Sequence, residues 1–536
     1  MAHARFLRAA SSAAAVLLLT AACSGGQITK VGQGGSGGSA SASASSATSK
    51  DGWPAIGESS AAGLSSDPAG DGAYASFYGQ KPAWKQCDAF PEARCATITV
   101  PLKWNAPSAG TAHLALLKLP ATGERKGSLL MNPGGPGGSG VDFVGSAGAQ
   151  VVSEKVREQY DLIGFDPRGV GASDGIRCLD DEQTDQYLSE DDGPGVDVGK
   201  REEEMSTVAK ACQKNSAAML PVMDTLSAAR DMDVIRAVVG SDKLDYLGFS
   251  YGTYLGQTYA DTYPSRVGRM VLDGVMDPAL DGDQISAGQA QGFENALGAF
   301  AQWCAKQKEC AFSGGRSEML SQLRAMLDGF EKTPLQTGDP ERPLTKALAT
   351  SAVIMPMYAD EMWPQLSSAL IAAKKGDGKQ LLRLADLSNE RDEHGHYSGN
   401  STFSILAVNC LDHPVDQNID HMKAEAKSLA AKYPTVGEDM AYGGVACKQW
   451  PAKPVRTPAP IHAKGAAPIM LIGTTGDPAT PYAWAQNVRK AIPNSRLITF
   501  EGNGHTAYGR SGPCVADAVD RYLVDGAMPK DDLTCK

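Results

Sequence analysis

The sequence predicts an α/β fold: a mostly parallel, doubly wound sheet interrupted by one large, mainly helical insertion. Two observations carry this. Short continuous apolar runs alternate along the chain with helical stretches, and continuous rather than alternating runs suit parallel strands covered on both faces. The rhythm then stops for a long helix-rich region and resumes beyond it, as it does where an insertion interrupts a sheet.

Taken in order, ATITVPL (96–102) and AHLALLKL (112–119) alternate polar and apolar residues, which fits an antiparallel start to the sheet. SLLMN (128–132), YDLIGFD (160–166), LDYLGF (244–249), RMVLDG (269–274) and APIMLIGT (467–474) are the continuous runs, expected to be parallel strands. Between them, 227–240 carries Ala228, Met232, Ile235 and Val239 at near-helical spacing, and 253–264 reads as a helix ending at Pro264. Strand, helix, strand, helix in series means parallel winding. Residues 278–450 are helical in pattern, so they are expected to form a lid over the strands' C-terminal edge. A separate helical domain is the competing reading. The expected layout is a signal peptide at 1–22, a linker at 23–72, core at 73–277, lid at 278–450 and core again at 451–536.

Composition narrows the function. The chain has 536 residues, 42% hydrophobic and 21% charged, enough apolar material to exclude wholesale disorder. Its formal charge of −11 argues against a nucleic-acid partner, which would require a basic face. Arg5 and Arg8 precede a short apolar stretch, 9–22, that ends at Cys23. This is the layout of a secretory signal, too short to span a bilayer as a mature helix. It resembles a bacterial lipoprotein signal, in which Cys23 becomes the lipidated N-terminus; ordinary secretion with cleavage near Ala22 is the alternative. The Gly-, Ser- and Ala-rich stretch from 24 to 72 reads as a flexible spacer from the membrane. An extracellular, lipid-anchored monomer is expected.

Ten cysteines follow Cys23, and an even number in an exported chain points to five disulfides. Pairing neighbours in order keeps every loop short and gives Cys87–Cys95, Cys178–Cys212, Cys304–Cys310, Cys410–Cys447 and Cys514–Cys535. No pair has C-x-x-C spacing and no further ligand cluster stands near His394 and His396 in sequence, so neither a metal nor a cofactor is expected.

Three segments carry chemistry. Gly248-Phe249-Ser250-Tyr251-Gly252 is a G-x-S-x-G between an apolar strand and a helix. A serine at such a turn stands above the sheet, with the Tyr251 amide beside it at the helix N-terminus, suited to an oxyanion. A serine nucleophile needs a base and the base needs an acid, in the order Ser, Asp, His for this layout. Of eight histidines only His505 follows a late strand in a Gly-rich loop, and Asp477 follows the strand before it. Asp273 is the rival acid, with a buried structural role as its alternative. Thr480, three residues past Asp477, is a candidate to steady the pair or merely to cap a turn. The third segment, MNPGGPGGSG (131–140), follows a strand and offers Gly135 as a second oxyanion donor. It lacks the residues of a phosphate-binding loop.

Together NPGGPGGSG, YDLIGFDPRGVGAS (160–173), GFSYGTYLG, GDPATP and GNGH resemble the proline iminopeptidase and tripeptidyl aminopeptidase family of α/β-hydrolase serine peptidases, in particular its exported lipoprotein-type bacterial members. The resemblance runs from about residue 87 to the C-terminus. It implies an α/β-hydrolase core, a helical lid, Ser250, Asp477 and His505 as the triad, and release of short peptides from free N-termini of peptides or proteins. Asn132 stands where iminopeptidases carry histidine, which sets this chain apart from single-proline release. The family holds the substrate's α-ammonium on acidic lid residues, for which the candidates are Asp360, Glu361 and Asp412. A carboxylesterase using the same triad, and a non-catalytic envelope-binding protein on the same scaffold, are the rival readings.

Overall fold

The computed structural model describes residues 52–190 and 197–536. The expected signal peptide and Cys23 lie outside these residues. Ten strands form one sheet: β1 (Lys85–Gln86), β2 (Arg94–Pro101), β3 (Thr111–Leu119), β4 (Gly127–Asn132), β5 (Tyr160–Phe165), β6 (Leu244–Phe249), β7 (Val267–Asp273), β8 (Ile469–Gly476), β9 (Ser495–Asn503) and β10 (Leu533–Cys535). Their spatial order is β1-β2-β3-β5-β4-β6-β7-β8-β9-β10. The first three pair antiparallel, and β3 runs antiparallel to β5; from β5 to β10 every neighbouring pair is parallel. The α/β class and the antiparallel start are as the sequence predicts. The short edge strands β1 and β10 carry too little pattern to be seen in it.

Both faces are covered, which is why the parallel strands read as unbroken apolar runs. Because successive side chains point to opposite faces, Leu129 and Met131 of β4 pack on one side with Leu162 and Leu247, under helix α1 (Gly140–Val151) and the helix Pro513–Asp525. Leu130, Ile163, Tyr246 and Met270 pack on the other, under α2 (Thr225–Val238) and α3 (Tyr251–Thr262).

Between β7 and β8 the chain makes eight α-helices, from Gly282–Cys304 to Gly443–Gln449. Phe300, Leu323, Leu348, Leu366 and Leu381 give this insertion an apolar centre of its own. All five disulfides form between sequence neighbours, Cys87–Cys95, Cys178–Cys212, Cys304–Cys310, Cys410–Cys447 and Cys514–Cys535. No helix among the described residues is long and apolar enough to cross a membrane.

The expected spacer, 23–72, requires correction over its last part. Residues 52–72 are fastened to the body. Ala61 is fully buried and Ser59 Oγ donates to Asp224 at 2.7 Å. The buried Arg230 guanidinium donates to the carbonyls of Ala61, Leu64 and Ser65. Composition shows that this stretch lacks large apolar side chains. It does not show that α2 carries a buried arginine whose donors need backbone acceptors.

Candidate active site

β6 ends at Phe249 and α3 begins at Tyr251, so Ser250 alone makes the turn. Its φ of 55° and ψ of −124° are strained for a residue with a side chain. The Ser250 amide is pinned to the Asp273 carbonyl at 2.9 Å. The glycine loop after β4 lies against this turn. A Cβ on Gly134, whose φ is +99°, would stand 2.5 Å from the Phe249 carbonyl oxygen and 2.8 Å from Ser250 Cβ, so only glycine fits there.

The Gly134 amide is spent on Asn132 Oδ1 at 3.0 Å. Asn132, fully buried, thus braces the loop. The amides of Gly135 and Tyr251 donate no hydrogen bond among the described residues, and Gly135 lines the same cavity as Ser250. One free donor directly follows Ser250 at the start of α3 and the other lines its cavity, a placement suited to an oxyanion site.

Asp477 follows β8 and His505 follows β9. His505 Nδ1 lies 2.9 Å from each oxygen of the buried Asp477 carboxylate. That carboxylate also receives the amides of Ala479, Thr480 and Thr506 and the Thr480 hydroxyl, the last at 3.0 Å. Thr480 Oγ1 is also 3.3 Å from His505 Nδ1, so it steadies both partners. With Nδ1 occupied as donor, Nε2 is the basic nitrogen. It is buried and unbonded among the described residues. Tyr358 seats the ring edge-on at 5.4 Å and accepts the His505 amide at 2.8 Å. Ser250 and His505 line one cavity without a direct hydrogen bond, a contact that commonly tightens only around substrate. Asp273 is not the acid at this imidazole. Fully buried, it takes the amides of Ala507 and Tyr508 and so anchors the loop that bears His505. Burial raises its pKa to about 6.

The insertion closes the cavity with Tyr358, Ala359, Glu390 and the 398–400 turn. Among these the acidic group is Glu390. Asp142 of α1 lines the cavity from the body. Burial raises both carboxyl pKa values, and Asp142 adds repulsion at Glu390. Glu390 accepts from Ser401 Oγ at 2.9 Å. Neither carboxylate has a cationic partner among the described residues.

The acidic residues singled out in the sequence lie elsewhere. Asp360 and Glu361 sit behind Arg510, whose Nη2 is 3.2 Å and 3.3 Å from them. Arg510 lines the cavity; they do not. Asp412 is 2% exposed and faces Thr225 rather than the cavity, so no substrate reaches it. Asp142 has a faint sequence signal, three residues past Ser139 at the end of the glycine loop. Glu390 has none, because SNERDEHGHY reads as solvated loop. His396 in that loop meets Asp181 at 2.9 Å, and His394 is exposed. Among the described residues, Asp283, His421 and Glu425 bring ligand atoms within 4.8 Å of one another, but none of them lines the cavity.

A twisted parallel sheet with an antiparallel start, a strained serine between strand and helix, and a histidine–aspartate pair on later strand ends define an α/β-hydrolase. The family model described as "TAP-like protein" matches residues 433–535. The chain is 33% identical to serine protease Hip1 of Mycobacterium tuberculosis over 481 residues, covering 85% of this chain and 91% of that protein. It is 35% identical to carboxylesterase B of the same species, over 88% of this chain and 94% of that one. It is 34% identical to the tripeptidyl aminopeptidase of Streptomyces coelicolor, over 84% and 85%. The chain therefore belongs to the α/β-hydrolase family that includes these three proteins, and it is a serine hydrolase.

Proposed function

We propose that the protein is an exported aminopeptidase that releases short peptides, tripeptides in the first instance, from free N-termini. The carrying observation is the pair of carboxylates, Asp142 and Glu390, facing the cavity of Ser250 and His505 without a cation of their own. A half-buried acidic pair of this kind is matched by a substrate α-ammonium, which also sets the distance from the N-terminus to the scissile bond.

Ser250 Oγ attacks the scissile carbonyl carbon while His505 Nε2 takes its proton. Asp477 holds the resulting imidazolium through Nδ1–H. The amides of Tyr251 and Gly135 donate to the oxyanion. His505 returns the proton to the leaving amine, and the bond to that nitrogen breaks. Water, activated by the same imidazole, then cleaves the acyl-enzyme. No step calls on a metal or cofactor. The five disulfides favour an oxidising compartment, and Cys23 is the site at which a lipid would tether the chain outside the cell.

The carboxylesterase reading is favoured by one relative of equal standing, because the same machinery cleaves esters and amides. The test compares tripeptidyl p-nitroanilides with free and with blocked amines against short acyl esters. Turnover of the free-amine peptide, lost on blocking, is expected; turnover of esters alone defeats the proposal. Fluorophosphonate labelling that disappears in Ser250→Ala is expected as well. A wild-type protein that takes no label would instead be a non-catalytic member of the fold.

A further inference from the structure

Behind the strained serine lies a buried polar chain that the proposed reaction leaves unused. Tyr251, Thr225 and Asp412 are 2%, 0% and 2% exposed. They come from three helix ends: Tyr251 opens α3, Thr225 opens α2, and Asp412 closes the insertion helix Ser401–Asp412. Thr225 Oγ1 is 2.5 Å from Asp412 Oδ2 and 2.6 Å from Tyr251 Oη. The Thr225 amide also donates to Asp412, at 3.0 Å.

The protons can be assigned. Above about pH 7 the Asp412 carboxyl is ionised and only accepts, so the one Thr225 hydroxyl proton goes to Asp412. Thr225 Oγ1 must then accept from the Tyr251 hydroxyl, which burial keeps protonated. The chain runs Tyr251 to Thr225 to Asp412 with each donor used once.

Its surroundings are charged on several sides. Asp224 stands beside Thr225, held by Ser59 and Ser227. Arg456 lies 4.6 Å over the Tyr254 ring, and the buried His413 ring packs on the same tyrosine at 5.4 Å with neither ring nitrogen hydrogen-bonded among the described residues. Ionising the Asp412 carboxyl here is costly, and both donors of one residue, the Thr225 amide shared between the two oxygens and the Thr225 hydroxyl, are built around it.

A strained backbone persists only where its neighbours over-determine it. Ser250 is held on its N-terminal side by the Asp273 carbonyl. On its C-terminal side the Ser250 carbonyl takes the Thr253 amide and hydroxyl, and the next residue is anchored through the Tyr251 side chain. We propose that Thr225 and Asp412 are positioning residues which, through the Tyr251 hydroxyl, hold the Tyr251 amide where the oxyanion develops. This rests on the serine-hydrolase mechanism proposed above. It also couples the two halves of the molecule, since Asp412 belongs to the insertion that roofs the cavity.

The test uses Tyr251→Phe, Thr225→Val, Asp412→Leu and Thr225→Ser in the full chain, assayed above pH 7 on the free-amine tripeptidyl substrate. In the first three, kcat should fall about tenfold while KM stays within about twofold, because the donor serves the transition state rather than the bound ground state. Thr225→Ser keeps the hydroxyl and should recover most of what Thr225→Val loses. Tyr251→Phe with Asp412→Leu should be no slower than the slower single variant, as expected for one chain cut twice. Should Asp412→Leu fail to fold, Tyr251→Phe, which removes a single oxygen, still decides. A wild-type kcat in Tyr251→Phe overturns the proposal, as does a Thr225→Ser no better than Thr225→Val. Activity surviving in Ser250→Ala would instead overturn the underlying mechanism.

Discussion

Thr480 is the residue whose sequence position says least about its use. Its hydroxyl meets Asp477 at 3.0 Å and His505 Nδ1 at 3.3 Å, so the pair loses a brace in Thr480→Val. Such a hydrogen bond is worth about 1–1.5 kcal/mol, or roughly a tenfold fall in kcat, with KM held; steady-state kinetics on the peptide anilide checks this. Glu390 belongs to substrate binding. Glu390→Gln should raise KM for free-amine peptides about tenfold and leave ester turnover within about twofold, and equal effects on both would remove the ammonium assignment. Its pH dependence follows from burial, which raises the Glu390 and Asp142 pKa values. A raised carboxyl loses its charge at a higher pH than an ordinary one. KM for the peptide should therefore climb on acidification before ordinary carboxylates titrate, while KM for an ester stays level. Ser250, Asp477 and His505 were legible because each directly follows an apolar run and so lies at one edge of the sheet. Glu390 and Asp142 were not, since only the docking of the insertion brings residues so far apart in sequence into one cavity. Asp412 was legible as chemistry-bearing but not as buried behind the nucleophile.

At the scale of elements, the site is a set of loops clamped from behind. Asp273, at the end of β7, holds the loop after β9 through two amides, and the helix Ser401–Asp412 carries Asp412 into the body. Cys410 of that helix is bonded to Cys447 of the helix Gly443–Gln449, across a sequence separation of 37. A loop of that length constrains the unfolded chain by about 2–4 kcal/mol. Replacing both cysteines by alanine should lower Tm accordingly, and kcat should fall with it as the Asp412 anchor loosens; a variant with lower Tm but wild-type kcat would separate the disulfide from the site. The cysteine pairing was readable because close neighbours in sequence closed every bridge. The strap 52–72 was not, because its hold on the body comes from Ser59, from backbone carbonyls and from Arg230, none of which has an apolar pattern.

For the whole molecule, burial of acids sets the response to pH. Burial raises Asp166 and Asp273 to about 6, and raises Asp412, with help from Asp224, to about 7. In each case the folded state keeps a proton that the unfolded chain releases near pH 4, so the stability they contribute is complete below that pH and is lost as pH rises toward 7. His413 acts the other way: burial lowers it to about 3, so the unfolded chain binds a proton below about 6.5 that the folded state refuses. Asp185 and Asp532 are lowered, by hydrogen bonds and arginines set against their burial, and their contribution is lost only below the ordinary carboxylate range. Between pH 4.5 and 6, then, the protons retained by Asp166, Asp273 and Asp412, joined by Glu204 and Glu425, which burial also raises to about 7, oppose the one that His413 excludes, and the acids prevail. The growing net negative charge of the chain adds repulsion in the same direction. Tm should therefore be higher near pH 5 than at pH 8. Asp273→Asn keeps the acceptor for the Ala507 and Tyr508 amides but removes the titration, so its Tm profile should be flatter than that of the wild type. A wild-type Tm that rises from pH 5 to pH 8, or a slope unchanged in Asp273→Asn, would show that these buried acids do not govern the balance.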